Sequence, residues 1–257
     1  MHHVHLDAYC REYNIKFCNL HFGQYQKYYP NLKLHGNNFL SRTILRIILK
    51  INWSLKIFRV VNFNLEYKGY IDRSEEIYPF KNNLVFCEGF QFRANKLVKK
   101  YREEYKKQFV PNIDKDFYRN KYFVRANDNS KIIGIHLRRG DYKTYRDGIY
   151  YYDDSTYIKY MNQISDILSG NCSFILFTND DQFNFDIYKV EFQNKVALSQ
   201  EDVHIDHFLM SECDYLLGPP SSFTAWASFI GNAKLYQVES SDEILSLEKF
   251  KECDSLI

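Results

Sequence analysis

No uninterrupted apolar run in these 257 residues reaches the roughly 18 residues that a membrane-spanning helix requires. The start, Met1-His2-His3-Val4-His5-Leu6-Asp7, lacks a basic stretch followed by an apolar core. It does not read as a secretory signal, and a cytosolic location is expected. The six cysteines, at 10, 18, 87, 172, 213 and 253, form no C-x-x-C pair, no zinc spacing and no dense disulfide framework. Reduced, buried thiols are the expectation. Internal repeats and low-complexity tracts are missing too. A large net charge is also absent: 34 Lys+Arg against 32 Asp+Glu leave +2, which argues against bulk binding of nucleic acid.

What is present is a globular composition, 45% hydrophobic and 26% charged, which excludes the disordered and collagen-like classes. The length suits one large or two small domains. The charge is unevenly spread. Residues 1–130 carry 23 Lys+Arg and 12 Asp+Glu, a balance of +11, and residues 131–257 carry 11 and 20, a balance of −9. Such a split suits two lobes attracting across a cleft, a basic lobe meeting an anionic surface, or uneven surface charge without consequence. The polar cluster Ala126-Asn127-Asp128-Asn129-Ser130 marks the expected boundary, giving domains 1–127 and 128–257.

The second half alternates in type. Strands are expected at 132–137, 173–178, 196–198, 215–217 and 235–238. Helices are expected at 154–168, capped by Asp154 or Ser155 and stopped at Gly170, at 201–213 and at 221–229. That order is the signature of a parallel α/β lobe. In the first half, strands are expected at 15–19 and 84–87 and one charged helix at 95–108. Residues 41–62 hold Arg42, Arg46, Lys50, Lys56 and Arg59 with no acid, among Ile, Leu, Val, Phe58 and Trp53. An interfacial membrane helix and a core helix with solvated basic residues are both open readings.

Two motifs carry chemistry. Ile135-His136-Leu137-Arg138-Arg139-Gly140-Asp141-Tyr142 ends the first strand of the lobe, where open parallel sheets bind ligands. A guanidinium there offers a fork of donors to a diphosphate, or else it pairs with Asp141 and nearby acids. Gly218-Pro219-Pro220-Ser221-Ser222-Phe223 lies between a strand and a helix, so that free N–H groups, a hydroxyl and the helix dipole meet in a site suited to an anion, or else simply cap the helix with no ligand. Between them stand Thr178-Asn179-Asp180-Asp181 and, on a helix, Asp206, whose carboxylate suits an amino-bearing base such as guanine. Two competing readings are weaker. His204 and His207 lack a third metal ligand, and Arg139-Gly140-Asp141 spells an adhesion tripeptide, which would require display on an exposed loop.

His136-x-Arg138-Arg139-Gly140-Asp141-Tyr142, the Thr178-Asn179-Asp180 strand end, and Asp206 followed by Ser221-Ser222-Phe223 with Trp226 beyond resemble the ordered motifs of the bacterial α1,2-fucosyltransferases of surface polysaccharides. More distantly they resemble α1,6- and protein O-fucosyltransferases. The resemblance covers about residues 131–238. It implies an α/β fold of the GT-B type with two Rossmann-like lobes, GDP-fucose as donor in the carboxyl-terminal lobe, inversion at the anomeric carbon and no metal or other cofactor. It places Arg138 on the diphosphate, His136 and Asp206 near guanosine, and Ser221 and Ser222 at the phosphates, and Arg139, Asp141 and Thr178 are expected among the substrate-binding residues. The general base stays open between Asp147, the first candidate, and Asp141. The implied acceptor is a glycan hydroxyl, lipid-linked in one reading, with peripheral contact of residues 41–62 at the inner face of the membrane. Members of the family usually open with a strand and a glycine-rich loop that this sequence lacks, so a truncated amino-terminal lobe is expected, and with it either a working transferase or an inactive GDP-binding remnant.

Overall fold

Apolar residues fill the strands of the second half without the polar alternation of a half-exposed sheet, as a parallel sheet covered on both faces requires. The computed structural model describes residues 2–32, 39–62, 84–89, 92–125 and 127–254. Its two compact units divide between Asn112 and Ile113, earlier than the expected boundary at 127/128. The polar cluster there does form a turn, Ser130 N–H donating to Asn127 O at 3.0 Å, although Ala126 itself lies outside the described residues. The helix before it belongs to the second unit because its Tyr122 is part of that unit's core.

In the first unit, α1 (His2–Glu12) buries Val4, Ala8 and Tyr9. It also buries Asp7, which accepts from Tyr105 Oη at 2.8 Å and pairs with Arg11 at 2.7 Å. The amino-terminal histidines belong to this packing: His3 stacks on Phe22 at 4.1 Å and His5 Nδ1 accepts from Ala94 N–H at 3.1 Å. Then come α2 (Phe39–Leu55) and the parallel pair β1 (Arg59–Asn62) and β2 (Val85–Glu88), followed by α3 (Asn95–Lys100) and α4 (Arg102–Gln108).

Three expectations change here. Residues 15–19 are not a strand; Ile15 and Phe17 pack as side chains against the cluster of Tyr9 and Phe92. The helix expected at 95–108 breaks at Tyr101 (φ −99°, ψ 12°), whose hydroxyl donates to Glu12 at 2.9 Å. The helix expected across 41–62 stops at Leu55, because the Asn52 amide accepts from Phe58 N–H at 2.5 Å and donates to Phe58 O at 3.0 Å while Lys56 takes a left-handed φ of 50°.

The second unit opens with α5 (Lys115–Tyr122), capped by Asp114. It continues with β3 (Lys131–Leu137), α6 (Asp154–Ile167), β4 (Cys172–Thr178), α7 (Asp186–Phe192), β5 (Val196–Leu198), α8 (Val203–Glu212), β6 (Tyr215–Gly218), α9 (Ser222–Ile230) and β7 (Lys234–Gln237). The strands form one parallel sheet in the order β5-β4-β3-β6-β7. The α/β expectation for this lobe holds, and α7 is the helix it omitted; parallel neighbours need a crossover, and Tyr188 and Phe192 supply its buried face. Asp153, rather than Asp154 or Ser155, caps α6 by accepting from Thr156 N–H at 2.9 Å. Side chains along β3 alternate between two cores. Ile133, Ile135 and Leu137 pack with α6 and α7, and Ile132 packs with α8 and α9. All six cysteines are free, with Cys10, Cys172 and Cys213 buried, Cys18 and Cys253 half-buried and Cys87 exposed.

Gly134 sits where β3 meets β6, and a Cβ there would lie 2.5 Å from Leu216 Cδ2 and 3.1 Å from Cys213 Sγ. Gly134→Ala is expected to cost about 1–3 kcal/mol by overpacking. Urea unfolding tests it, and a stability equal to wild type would show that the core yields there.

Candidate functional site

From β3 the sheet grows outward through β4 to β5, and the chain then returns to β6 on the other side of β3. After β3 the chain runs to α6 on one face, and after β6 it runs to α9 on the other. The carboxyl ends of β3 and β6 therefore flank a topological switch point, where ligands of open α/β sheets bind. Both sequence motifs lie there.

The two arginines after β3 part company, as successive residues of an extended chain do. Arg139, expected among the substrate-binding residues, turns inward and is 4% exposed. Its Nη2 donates to Asp154 Oδ1 at 2.5 Å and its Nε to Tyr152 O at 3.2 Å, with the rings of Tyr157 and Phe183 within 5.8 Å of its guanidinium. Its charge is spent inside the fold, so of the tripeptide it begins only Gly140 and Asp141 are exposed. Arg138 turns outward, with 31% of its side chain exposed. It pairs with both oxygens of Asp141, at 2.9 and 3.1 Å, and lies 5.7 Å above the Tyr142 ring.

Asn179, at the end of β4, sets this turn. Its Oδ1 accepts from the N–H groups of Arg139 and Gly140 at 2.9 and 3.2 Å, and its Nδ2 donates to Asp141 at 3.3 Å. Gly140 is needed because a Cβ would lie 2.7 Å from that amide. Thr178, expected among the substrate-binding residues, latches two strand ends: its hydroxyl donates to Leu137 O and accepts from Asp180 N–H, both at 3.1 Å. Partial burial pushes the Asp141 carboxyl up, but Arg138 and Asn179 outweigh it and hold the group below the usual carboxylate value.

Across the switch point, Ser221 caps α9 by accepting from Phe223 N–H at 3.2 Å, and Ser222 opens the helix exposed to solvent. First-turn N–H groups have no partner within their own helix. The Tyr142 hydroxyl donates to Pro220 O at 2.5 Å and so ties the loop after β3 to the loop after β6. Beneath them His136, Phe223 and His207 form a stack with centroid separations of 5.4 and 3.9 Å. Burial, then the Arg138 charge, lowers the His136 pKa to about 3, so the ring is neutral, and its Nδ1 is buried without a hydrogen-bond partner. Asp206 accepts from Ser199 Oγ at 2.5 Å, and burial raises its pKa to about 6. Asp147 is exposed in a short loop where Arg146, Asp147 and Gly148 are consecutively left-handed, with φ of 48°, 59° and 76°.

Of the expected site residues, His136 and Arg138 lie in and just after the end of β3, Asp206 in the first turn of α8, and Ser221 and Ser222 at the start of α9. Sequence reasoning gave no role to Asn179, Tyr142 or Phe223. Asn179 was the most accessible of these, being a polar side chain directly after a strand end and able to pair with backbone nearby.

Residues 4–245 match the family model of glycosyl transferase family 11. The chain belongs to that family. Among solved structures, this family 11 chain is similar to the fucosyltransferase NodZ from Bradyrhizobium, at 13% identity and a TM-score of 0.40 over 65% of this chain and 59% of that one. It is also similar to a NodZ α-1,6-fucosyltransferase soaked with GDP-fucose, at 13% identity and a TM-score of 0.39 over 66% and 61%. The chain thus spans about three fifths of the length of these structures. No curated protein matches its sequence.

Two predictions separate structural from surface charges. Arg139→Ala removes a buried guanidinium and leaves Asp154 with the Tyr188 hydroxyl, at an expected cost of about 2–3 kcal/mol, whereas Arg138→Ala breaks a partly exposed pair and costs about 1 kcal/mol or less. Denaturant titrations compare them, and equal losses would contradict the division of roles. Burial lifts Asp206 from 3.8 to about 6, so the folded chain keeps a proton that the unfolded chain has released. The resulting stabilisation is present below about pH 4 and is lost as pH rises through about 6. Asp206→Asn escapes that loss, so its melting temperature relative to wild type should rise between those pH values. A constant difference would show a solvated carboxyl.

Proposed function

We propose that the chain transfers fucose from GDP-fucose to a glycan hydroxyl, in α1,2 linkage and with inversion, as a two-lobed GT-B enzyme of surface-polysaccharide synthesis. The observation that carries this reading is the outward guanidinium of Arg138 at the end of β3 and the amino terminus of α9 at the end of β6, flanking the switch point of a family 11 chain. A diphosphate brings more charge and more acceptor oxygens than the carboxylate of Asp141, and so competes for Arg138. Ser221 and Ser222, with the first-turn N–H groups, take up the remaining phosphate oxygens. The orphan Nδ1 of His136 and the Asp206 carboxyl supply hydrogen-bonding groups for the guanosine.

In the transfer, the acceptor oxygen attacks the anomeric carbon as the bond from that carbon to the diphosphate oxygen breaks. The acceptor proton passes to a base and GDP departs. Arg138 meets the charge that develops on the leaving diphosphate, so the reading needs no metal or other cofactor. Asp147, exposed in the loop after the arginine pair, is the preferred base, with Asp141 second. The acceptor is a lipid-linked glycan, met at the inner face of the membrane through residues 41–62.

Calorimetric titration with GDP, GDP-fucose, UDP and ADP tests the site. Binding of the guanosine nucleotides alone, lost in Arg138→Ala, is the expected result, with a transfer rate lower by about 10²- to 10³-fold in the variant. A folded chain that binds none of them would remove the proposal. GDP binding without transfer would identify an inactive remnant, and transfer from another GDP-sugar would keep the site while changing its substrate.

A further inference from the structure

The ladder between β3 and β6 ends at the pair of Ile135 with Leu217. Past that pair the two chains separate, one into the arginine turn and the other into Pro219-Pro220 and the start of α9. Tyr142 spans the gap. It is 8% exposed, and its two ends meet the two halves of the rim. The Arg138 guanidinium lies 5.7 Å from the centre of its ring, which also stacks on Tyr145 at 5.2 Å. Its hydroxyl donates to Pro220 O at 2.5 Å, and the Ser221 hydroxyl lies within hydrogen-bonding reach of the same phenolic oxygen. Burial pushes the phenol up to about 12 against the pull of the Arg138 charge, so the proton that makes this bond stays in place at neutral pH. From the other side, Gln237 Nε2 at the end of β7 donates to Ser221 O at 3.0 Å, which holds the start of α9 on the sheet independently of Tyr142.

We propose that Tyr142 is a positioning residue, whose ring and hydroxyl together set the separation between the Arg138 guanidinium and the first turn of α9 to that of the two phosphates of a nucleoside diphosphate. The inference rests on the proposed function, which divides the diphosphate between Arg138 and the start of α9. Those two groups come from different loops. A second phosphate therefore adds its full affinity only where their distance is fixed before binding, because a displacement of about 1 Å is enough to waste a donor. The ion pair of Arg138 with Asp141 does not supply that constraint, since both members belong to one loop. The Tyr142 hydroxyl does, because its acceptor belongs to the other. A buried hydroxyl is stable only with a partner, so the same bond that satisfies the phenol holds the two loops in register.

Calorimetric titration of Tyr142→Phe with GDP, GMP and guanosine tests it, beside Tyr160→Phe as a control. Tyr160, on α6, is also buried, and its hydroxyl also donates to a backbone carbonyl, that of Ser240 beyond β7. Both variants are expected to fold, with slightly lower melting temperatures. Tyr142→Phe should bind GDP about tenfold more weakly while GMP and guanosine bind as they do to wild type, so that the preference for GDP over GMP falls about tenfold. Tyr160→Phe should keep the wild-type preference, which a loss of stability alone does not move. The positioning role is overturned if folded Tyr142→Phe keeps the full preference, or if Tyr160→Phe loses it equally. It is overturned also if Tyr142→Phe does not fold, because the hydroxyl would then serve the fold itself. Wild-type binding of GDP with an unaltered Tyr142→Phe removes this inference alone, whereas a folded wild-type chain that binds no guanosine nucleotide removes the proposed function and the inference with it.

Discussion

A guanidinium buried at the end of the central strand governs the rim of the second unit. Removing an arginine from water costs several kcal/mol unless its donors are satisfied, and Arg139 is satisfied by Asp154 and Tyr152 O. Both acceptors lie at or just before the start of α6, so the buried charge fixes where that helix begins relative to β3. The alternation of an extended chain then sends Arg138 the other way, to the surface. Asn179 locks the same turn from β4 through two backbone N–H groups. One interior charge thus sets the direction of a second, exposed one.

The exposed charge is held ready without being immobilised. Arg138 pairs with a carboxylate three residues away, over a tyrosine ring whose hydroxyl reaches the loop after β6. Such partly exposed pairs contribute little stability. Exchanging Asp141 for an anionic ligand therefore costs the fold little, while Asn179, Gly140 and Tyr142 keep the geometry of the turn. The preorganisation resides in the backbone and the buried partners.

The parallel lobe could be read from sequence because its signals are local: apolar runs of strand length, Gly170 after a helix, and Ser221 before one. Helix α7 was overlooked, although Tyr188 and Phe192 at i and i+4 mark it and the parallel pairing of β4 with β5 requires it. In the first half the deciding interactions are distant or specific to one side chain. Nothing near Ile15 and Phe17 shows that they would pack as side chains against Tyr9 and Phe92 instead of pairing as a strand. The turn after α2 depends on one amide, Asn52, binding both polar groups of the Phe58 backbone. At the site, the alternation of adjacent arginines is legible but the partners of the inward one are not, because the acid at 154 and the carbonyl at 152 are brought beneath Arg139 only by the fold.

The same rim carries a cost that packing alone does not repay. Burial holds His136 neutral with Nδ1 unpartnered, and it holds Asp206 near a pKa of 6 with the serine at 199 as its hydrogen-bond donor. Each group is destabilising in the charged form, in opposite pH directions: His136 as pH falls below its unfolded value, Asp206 as pH rises above its own. A core optimised for stability would replace both with apolar residues. Their presence beside Phe223, at the carboxyl ends of the strands and under an outward guanidinium, breaks the local rules that the rest of the sheet obeys. Such violations belong where a ligand supplies the missing partners. In the proposed function the nucleotide meets that requirement, its base offering donors and acceptors to the two buried polar groups and its phosphates offering oxygens to Arg138 and the start of α9.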